Sequence, residues 1–495
     1  MSARCVMVLG TSSGAGKSWL TAALCRHYAR QGLKVAPFKA QNMSNNARVV
    51  SGLGGRFGEI GSAQYHQALA AKTAPTVLMN PVLLKPEADT RSQVVLLGEV
   101  DTALGSTPWR ERSEKVWPRV ADAFDQLRAQ HDVIVIEGAG SPAEINLKAS
   151  DFVNMRIARH ADARCLLVAD IDRGGAFAHL YGTWALLPPE ERALIRGFVL
   201  NKFRGDEALL APGPRMLEDL TQVPVVATIP FVPLHGLPEE DGVFDDPSSA
   251  AGAARRTVAV IAYPRISNLD EFEPLKHVDG VRLVWARTPA DCAGADWIVL
   301  PGSKHTSSDL AWLRAQRLDD AIARHAAAGG AVLGVCGGLQ MLGEALVDPH
   351  GIDGNAPGLG LLPLVSVFEP AKTVRRAQAR FGDVAGEWSA LSQVQVEGYE
   401  IHHGRTAAHP AMQAGREVMP QLAWQNAQGN VLGVYLHGLF EDARVMHALF
   451  GAAAPDLDAV FETLADLVEY RFGAGALDAL VDFRRGGQVP VPARR

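Results

Sequence analysis

Cys336 lies in Val332-Leu333-Gly334-Val335-Cys336-Gly337-Gly338-Leu339-Gln340, an apolar run passing through Gly-x-Cys-x-Gly into a helix-compatible segment, Leu339 to Glu344. This layout predicts a nucleophile elbow, a tight turn that lifts one side chain above a sheet and needs glycine where a Cβ would clash. A thiol at a helix N-terminus meets the positive end of the helix dipole, which favours the reactive thiolate. The same residues also fit a buried core cysteine between two packing glycines. A nucleophile needs a base and an oxyanion hole. His437, in Val434-Tyr435-Leu436-His437-Gly438, falls at the end of a predicted strand, where a base would stand. Gly302 and Ser303, in the turn after Trp297–Leu300, offer backbone N–H groups for an oxyanion, as does Gly337 beside the thiol.

A second constellation opens the chain. Gly10-Thr11-Ser12-Ser13-Gly14-Ala15-Gly16-Lys17-Ser18 follows an apolar strand and precedes a helix, Trp19 to Arg30. Backbone N–H groups of such a loop, with Gly14 and Gly16 setting its shape, cradle phosphates at a helix N-terminus. Lys17 supplies counter-charge and the Ser18 hydroxyl can ligate Mg²⁺. Five residues rather than four separate Gly10 from Gly16, so the loop is longer than the strict P-loop. Glu137 ends the apolar run Val133–Ile136, at the carboxyl edge where open α/β sheets bind ligands. Asp170 and Asp172 occupy a similar strand end, where one of them shares a metal or simply caps the next turn.

The elements that must position these groups are legible in outline. Short apolar runs alternate with helical stretches, which predicts two α/β domains with parallel sheets. The first series of strands is Val6–Leu9, Val35–Phe38, Val133–Ile136, Cys165–Val168, Ile195–Leu200 and Val225–Ile229. The second is Thr257–Ala262, Val281–Trp285, Trp297–Leu300, Ala331–Val335 and Gly433–Leu436. The expected division is a phosphate-binding domain over 1–238, a linker over 239–256, a thiol domain over 257–450, and a helical extension with a loose tail over 451–495.

Composition bounds the class. The chain has 495 residues, 47% hydrophobic and 21% charged, with net charge −6, which favours neither nucleic acid nor an anionic membrane as partner. Five cysteines, at 5, 25, 165, 292 and 336, form no C-x-x-C pair, so neither a zinc site nor a disulfide framework is expected. A reducing, cytoplasmic setting fits. His402 and His403, neighbours on a strand, would point to opposite faces and are read as non-metal, as are His305 and His325.

The long loop resembles that of dethiobiotin synthetase and its relatives, which use ATP to activate a carboxylate. Val35-Ala36-Pro37-Phe38-Lys39 resembles the strand whose lysine approaches the phosphates there. Val135-Ile136-Glu137-Gly138-Ala139-Gly140 resembles the Mg²⁺-binding strand end, and Asn201-Lys202 the adenine-reading segment. Partitioning ATPases share this sheet but carry a lysine where Ser12 stands, which argues against that class. In the second half, Pro-Gly-Ser, Gly-x-Cys-x-Gly and a strand-end histidine follow in the order seen in class I glutamine amidotransferases, of flavodoxin-like fold. Their third triad member, a glutamate two residues after the histidine, is here Leu439, and Glu441 is the nearest acid downstream.

Across nearly its whole length the chain resembles the cobyric acid synthase family. The resemblance rests on Lys39-Ala40-Gln41-Asn42-Met43-Ser44-Asn45-Asn46, Met79-Asn80-Pro81-Val82-Leu83-Leu84-Lys85-Pro86, Glu137 to Leu147, Asp170 to Gly175 and Gly398 to His402. It implies ATP- and glutamine-dependent amidation of the b, d, e and g carboxylates of adenosylcobyrinic acid a,c-diamide, through acyl phosphates, in cobalamin biosynthesis. ATP and Mg²⁺ are the implied cofactors, with no tightly bound prosthetic group. Gln41, Asn42, Asn45 and Asn46 are candidate contacts for the corrinoid, or else a polar loop starting a helix. Amidation of the a and c carboxylates, or a non-catalytic ATP-dependent scaffold, are the competing readings.

Overall fold

The computed structural model describes residues 3–233, 235–238, 255–408, 415–452, 456–473 and 475–482. Most of the expected linker and the last residues of the tail lie outside them. The first half is built on six strands, in the order Val225–Pro230, Ile195–Phe203, Arg164–Asp170, Arg4–Gly10, Val133–Glu137 and Val35–Phe38. Every pairing in it is parallel. A parallel sheet is covered on both faces, so its strands read as unbroken apolar runs. Alternation still sorts them. Cys5, Met7 and Leu9 point into one core with Phe38 and Phe124, whereas Val6 and Val8 enter the other with Leu20 and Leu24.

The second sheet runs Val281–Ala286, Arg256–Ile261, Trp297–Leu300, Ala331–Val335, Val431–Val434, Ala423–Asn426 and Gly415–Met419. Its first five strands are parallel and the last two antiparallel. The strand expected at 433–436 therefore ends at Val434, and His437 stands on the turn three residues beyond. Because parallel strands end together, Cys336 emerges on one rim with Gly302–Ser303, which is not a turn but a short strand paired antiparallel with Ile266–Ser267.

Two additions were not legible. A long antiparallel hairpin, Leu364–Arg380 with Gln395–Ala408, rises from the second domain. Small sheets rise from the first: Ala47–Ser51 with Phe57–Gly61, and Gln41–Met43 with Val82–Ala88, Arg91–Leu96 and Glu99–Val100. They meet in an apolar cluster of Ala47, Val49, Leu83 and Val95 against Tyr399 and Ile401. Beside it Glu59 is buried between Lys85, at 2.9 Å, and Lys372. The domains are thus joined by packed side chains as well as by chain.

The described residues after 455 form helices that return to the first domain. Helix Leu457–Phe472 lies along helix Lys17–Arg30, burying Phe461, Leu464, Val468 and Phe472 in the same core as Leu20 and Leu24. Buried Arg26 reaches Asp458 at 2.6 Å and Glu462 at 2.7 Å. Since Phe461 is 1% exposed, Phe461→Ala is expected to lower the stability of the first domain by about 3–5 kcal/mol, read by denaturant unfolding.

Candidate active sites

At the elbow, strand Ala331–Val335 ends in Cys336 with φ 51° and ψ −107°, the left-handed half of the map where a side chain is strained. The strain is held by the Cys336 N–H donating to Val434 O at 2.7 Å and by helix Gly337–Leu342 starting at once. A Cβ on Gly338 would lie 1.9 Å from Leu300 O, and one on Gly334 would lie 2.7 Å from the Gly338 carbonyl carbon. Gly338→Ala is therefore expected to give insoluble or glutaminase-dead protein, checked by expression and assay. A Cβ on Gly337 would sit 2.8 Å from the Ser303 nitrogen, so these backbone amides stand close beside the thiol. The Ser303 hydroxyl donates to Asp309 at 2.6 Å, and burial pushes that carboxyl up to about 7. Cys25 and Cys165, by contrast, are core thiols whose pKa burial raises far above the usual range.

His437 is brought to Cys336, and the acid that orients it comes from elsewhere in the chain. His437 Nδ1 lies 3.0 Å from Glu271 Oε1, and the Gly438 N–H donates to Glu271 Oε2 at 2.9 Å. Glu271 is fully buried on the 3₁₀ segment Leu269–His277. With Nδ1 engaged, Nε2 is the nitrogen left for the thiol. Burial works against a charged imidazole, but Glu271 and the hydrogen-bonded Cys336 outweigh it and push His437 up to about 10. The glutamate absent at Leu439 is thus supplied 166 residues upstream of His437. No local motif announces Glu271, because its role depends on a tertiary contact. Glu441, the nearest acid in sequence, is turned away to Arg48 at 2.6 Å.

The pH consequence has a definite sign. His437 is raised from an ordinary value of about 6.5, so the stability it contributes is full below that pH. It is lost as pH rises toward 10. Glu271→Gln removes the main source of that shift. The gap in unfolding free energy between wild type and this variant is expected to be widest near pH 6 and to narrow on the alkaline side.

At the other site, Gly14 (φ 69°) and Gly16 (φ 96°) take conformations that side chains avoid, and helix Lys17–Arg30 begins directly after them. Lys17 Nζ donates to Ser12 O at 2.9 Å, curling back over the loop. The Ser18 hydroxyl donates to Glu137 Oε1 at 2.9 Å, and Lys39 Nζ sits 2.9 Å from the same oxygen. Burial alone would raise the Glu137 pKa; Lys39, Gln67 and Lys17 outweigh it and hold the carboxyl below its usual range. Ser18 and Glu137 are hard oxygen donors of the kind Mg²⁺ takes together with phosphate oxygens and water. Asp172 is not with them: its carboxylate pairs with Arg204 at 3.0 Å.

Two other expectations change. Buried Asn201 donates its side-chain amide to Ala15 O at 2.8 Å, so it braces the loop. The Gln41–Asn46 segment is not a loop starting a helix but includes strand Gln41–Met43. Its amides are engaged internally, Asn42 with Gln64 at 3.2 Å and Asn45 with Pro86 O at 3.3 Å. Asn46 accepts from Leu269 N at 3.0 Å, across the domain boundary.

Residues 6–241 match the CobQ/CobB/MinD/ParA nucleotide binding domain, and residues 257–445 match the CobB/CobQ-like glutamine amidotransferase domain. The cobyric acid synthase of Variovorax paradoxus (strain S110) is 74% identical over 97% of this chain and 100% of its own length. The chain belongs to the cobyric acid synthase family. The cobyric acid synthase of Acidovorax ebreus (strain TPSY) is 72% identical over 97% of this chain and 99% of its own. As a member of the cobyric acid synthase family, the chain is an ATP-dependent carbon–nitrogen ligase with a glutamine amidotransferase domain. A solved glutamine amidotransferase overlaps 42% of this chain and 98% of its own, at 16% identity and a TM-score of 0.30, too slight a likeness to add to this. Among the described residues, no helix is long and apolar enough to cross a membrane.

Proposed function

We propose that this ligase amidates the b, d, e and g carboxylates of adenosylcobyrinic acid a,c-diamide, with Cys336, His437 and Glu271 as its ammonia source and the Gly10–Ser18 loop as its ATP site. The observation that carries this reading is the pairing of an elbow thiol with a Glu271-oriented His437, in one chain with a phosphate loop.

In the glutaminase half-reaction the Cys336 thiolate attacks the side-chain carbonyl carbon of glutamine. The resulting oxyanion is met by the amides at Gly302, Ser303 and Gly337. Collapse breaks the C–N bond, His437 protonates the departing nitrogen, and a γ-glutamyl thioester remains. Water, deprotonated by His437, then releases glutamate and restores the thiol. Glu271 holds the imidazole in one tautomer and orientation throughout.

In the synthetase half-reaction a corrinoid carboxylate oxygen attacks the γ-phosphorus of ATP, and ADP leaves. Lys17 and Lys39 neutralise charge on the phosphates. Ser18 and Glu137 would hold Mg²⁺, which would supply charge neutralisation at the phosphates; Asp172 would join only by leaving Arg204. Ammonia attacks the acyl phosphate and phosphate departs, leaving the amide. Gln41 and Asn45 remain the nearest candidates for corrinoid contact, whereas Asn46 is committed to the other domain.

Mass spectrometry of the product tests the substrate assignment. The expected result is four new amides at b, d, e and g. No amidation of the a,c-diamide, with amidation at a and c when the unamidated acid is offered instead, would overturn it, and the full-length similarity to cobyric acid synthases stands against that outcome.

A further inference from the structure

Arg48 is a cation of the first domain buried at its junction with the second. It sits on strand Ala47–Ser51, with its side chain 2% exposed. Its guanidinium donates through both terminal nitrogens to Glu441, each at 2.6 Å, and also to Asp270. Its Nε donates to Ser62 at 3.3 Å, and its plane lies 5.3 Å from the Tyr399 ring centre and 5.5 Å from that of Tyr65. Each partner in the second domain adjoins a member of the triad. Asp270 precedes Glu271 in the chain. Glu441 closes the turn Leu439–Glu441 that follows His437 and Gly438. Tyr399 stacks on the His437 ring at 5.4 Å and exchanges two backbone hydrogen bonds with it, at 2.9 and 3.3 Å.

The neighbours of Arg48 tighten the same junction. The Ala47 N–H donates to Asn268 Oδ1 at 2.9 Å, and the Leu269 N–H donates to Asn46 Oδ1 at 3.0 Å. This reciprocal asparagine pair clamps the start of the 3₁₀ segment that carries Glu271. A planar guanidinium can hold one carboxylate in a fork, reach a second and stack on aromatic rings at once, which a lysine cannot do.

We propose that Arg48 is a positioning residue of the glutaminase triad, supplied by the synthetase domain. It fixes the Glu271 segment and the His437 turn relative to one another, so that the amidotransferase half is complete only with the other half docked. The proposal rests on the triad reading above. It assigns Arg48 no contact with glutamine or with the reacting atoms.

The test uses the full chain with Arg48→Met and Arg48→Lys, assayed with glutamine and, separately, with high ammonium. A displacement of about 1 Å in a catalytic group costs on the order of 100-fold in rate. The expected result is a fall of about that size in glutamine-driven kcat for Arg48→Met, with KM for glutamine within about twofold and ammonium-driven amidation unchanged. Arg48→Lys is expected to recover little of the loss. A folded Arg48→Met with wild-type glutamine kcat would overturn the proposal. Arg48→Met also strands Asp270 and Glu441 without their cation. If it loses ammonium-driven activity too, the triple variant Arg48→Met/Asp270→Asn/Glu441→Gln decides, since it removes those charges. Low glutamine kcat with normal ammonium activity supports the role, and normal activity with both refutes it. Cys336→Ala run alongside separates the two levels. If it keeps glutamine-driven amidation, the triad reading itself has failed; if it loses it while Arg48→Met does not, only the role of Arg48 has.

Discussion

Cys336→Ala is expected to abolish glutamine-driven amidation, by at least about four orders of magnitude, while amidation driven by high ammonium continues. The γ-glutamyl thioester cannot form without Sγ, and no other cysteine sits on the elbow: Cys5, Cys25 and Cys165 are core residues of the first domain, and Cys292 is buried at the end of the segment Pro289–Cys292 of the second. The synthetase site is built from other elements, the Gly10–Ser18 loop, Lys39 and Glu137, which the substitution does not touch. Alanine keeps the Cβ that the turn already accommodates at this positive φ, so the substitution leaves the backbone as it is. Coupled assays of ADP release and amide formation with each nitrogen source would read the separation. Loss of both activities in a folded variant would contradict two independent sites. Glu271→Gln should follow the same pattern more mildly, by about two to four orders of magnitude, since the thiol stays but the imidazole loses its orienting charge.

Lys17→Ala is expected to remove amidation with either nitrogen source, by roughly three orders of magnitude or more, because phosphoryl transfer depends on charge placed at the phosphates. Lys17 starts helix Lys17–Arg30 and curls over its own loop, so no neighbouring cation can take its place in the same geometry. Lys39 is held by Glu137 at 2.9 Å. Basal glutamine hydrolysis at Cys336 should survive in this variant, since the triad lies in the other domain. Steady-state kinetics with glutamine and with ammonium, next to a glutaminase assay without ATP, would distinguish this from general misfolding, which would lower all three.

The parallel sheets and both loops were legible because their signals are local. An apolar run followed by a glycine turn and a helix carries its own explanation, whether the turn holds Lys17 or Cys336. Glu271 was not legible: it sits in an unremarkable stretch, Leu269-Asp270-Glu271-Phe272, and acquires its role only when strand Val281–Ala286 and the segment from His437 to Glu441 pack against it. The hairpin Leu364–Arg380 with Gln395–Ala408 was missed because its alternation is interrupted between Phe368 and Thr373, where the register shifts. The asparagines at 42 and 46 look like ligand contacts by type, yet both are buried and serve as structural donors and acceptors, Asn42 within the first domain and Asn46 across the domain junction. Asn201 is the same case on a smaller scale, its amide spent on Ala15. In each instance a polar residue near a site was read as facing a ligand, and the cost of burying an unpaired amide turned it toward the protein instead.

Two half-reactions in one chain must consume their substrates in step. The direct measurement is the amount of glutamine and of ATP consumed per corrinoid product. One glutamine and one ATP per amide, four of each per fully converted corrinoid, is the predicted result. Amides formed with no matching consumption of glutamine, when glutamine is the only nitrogen source, would contradict it.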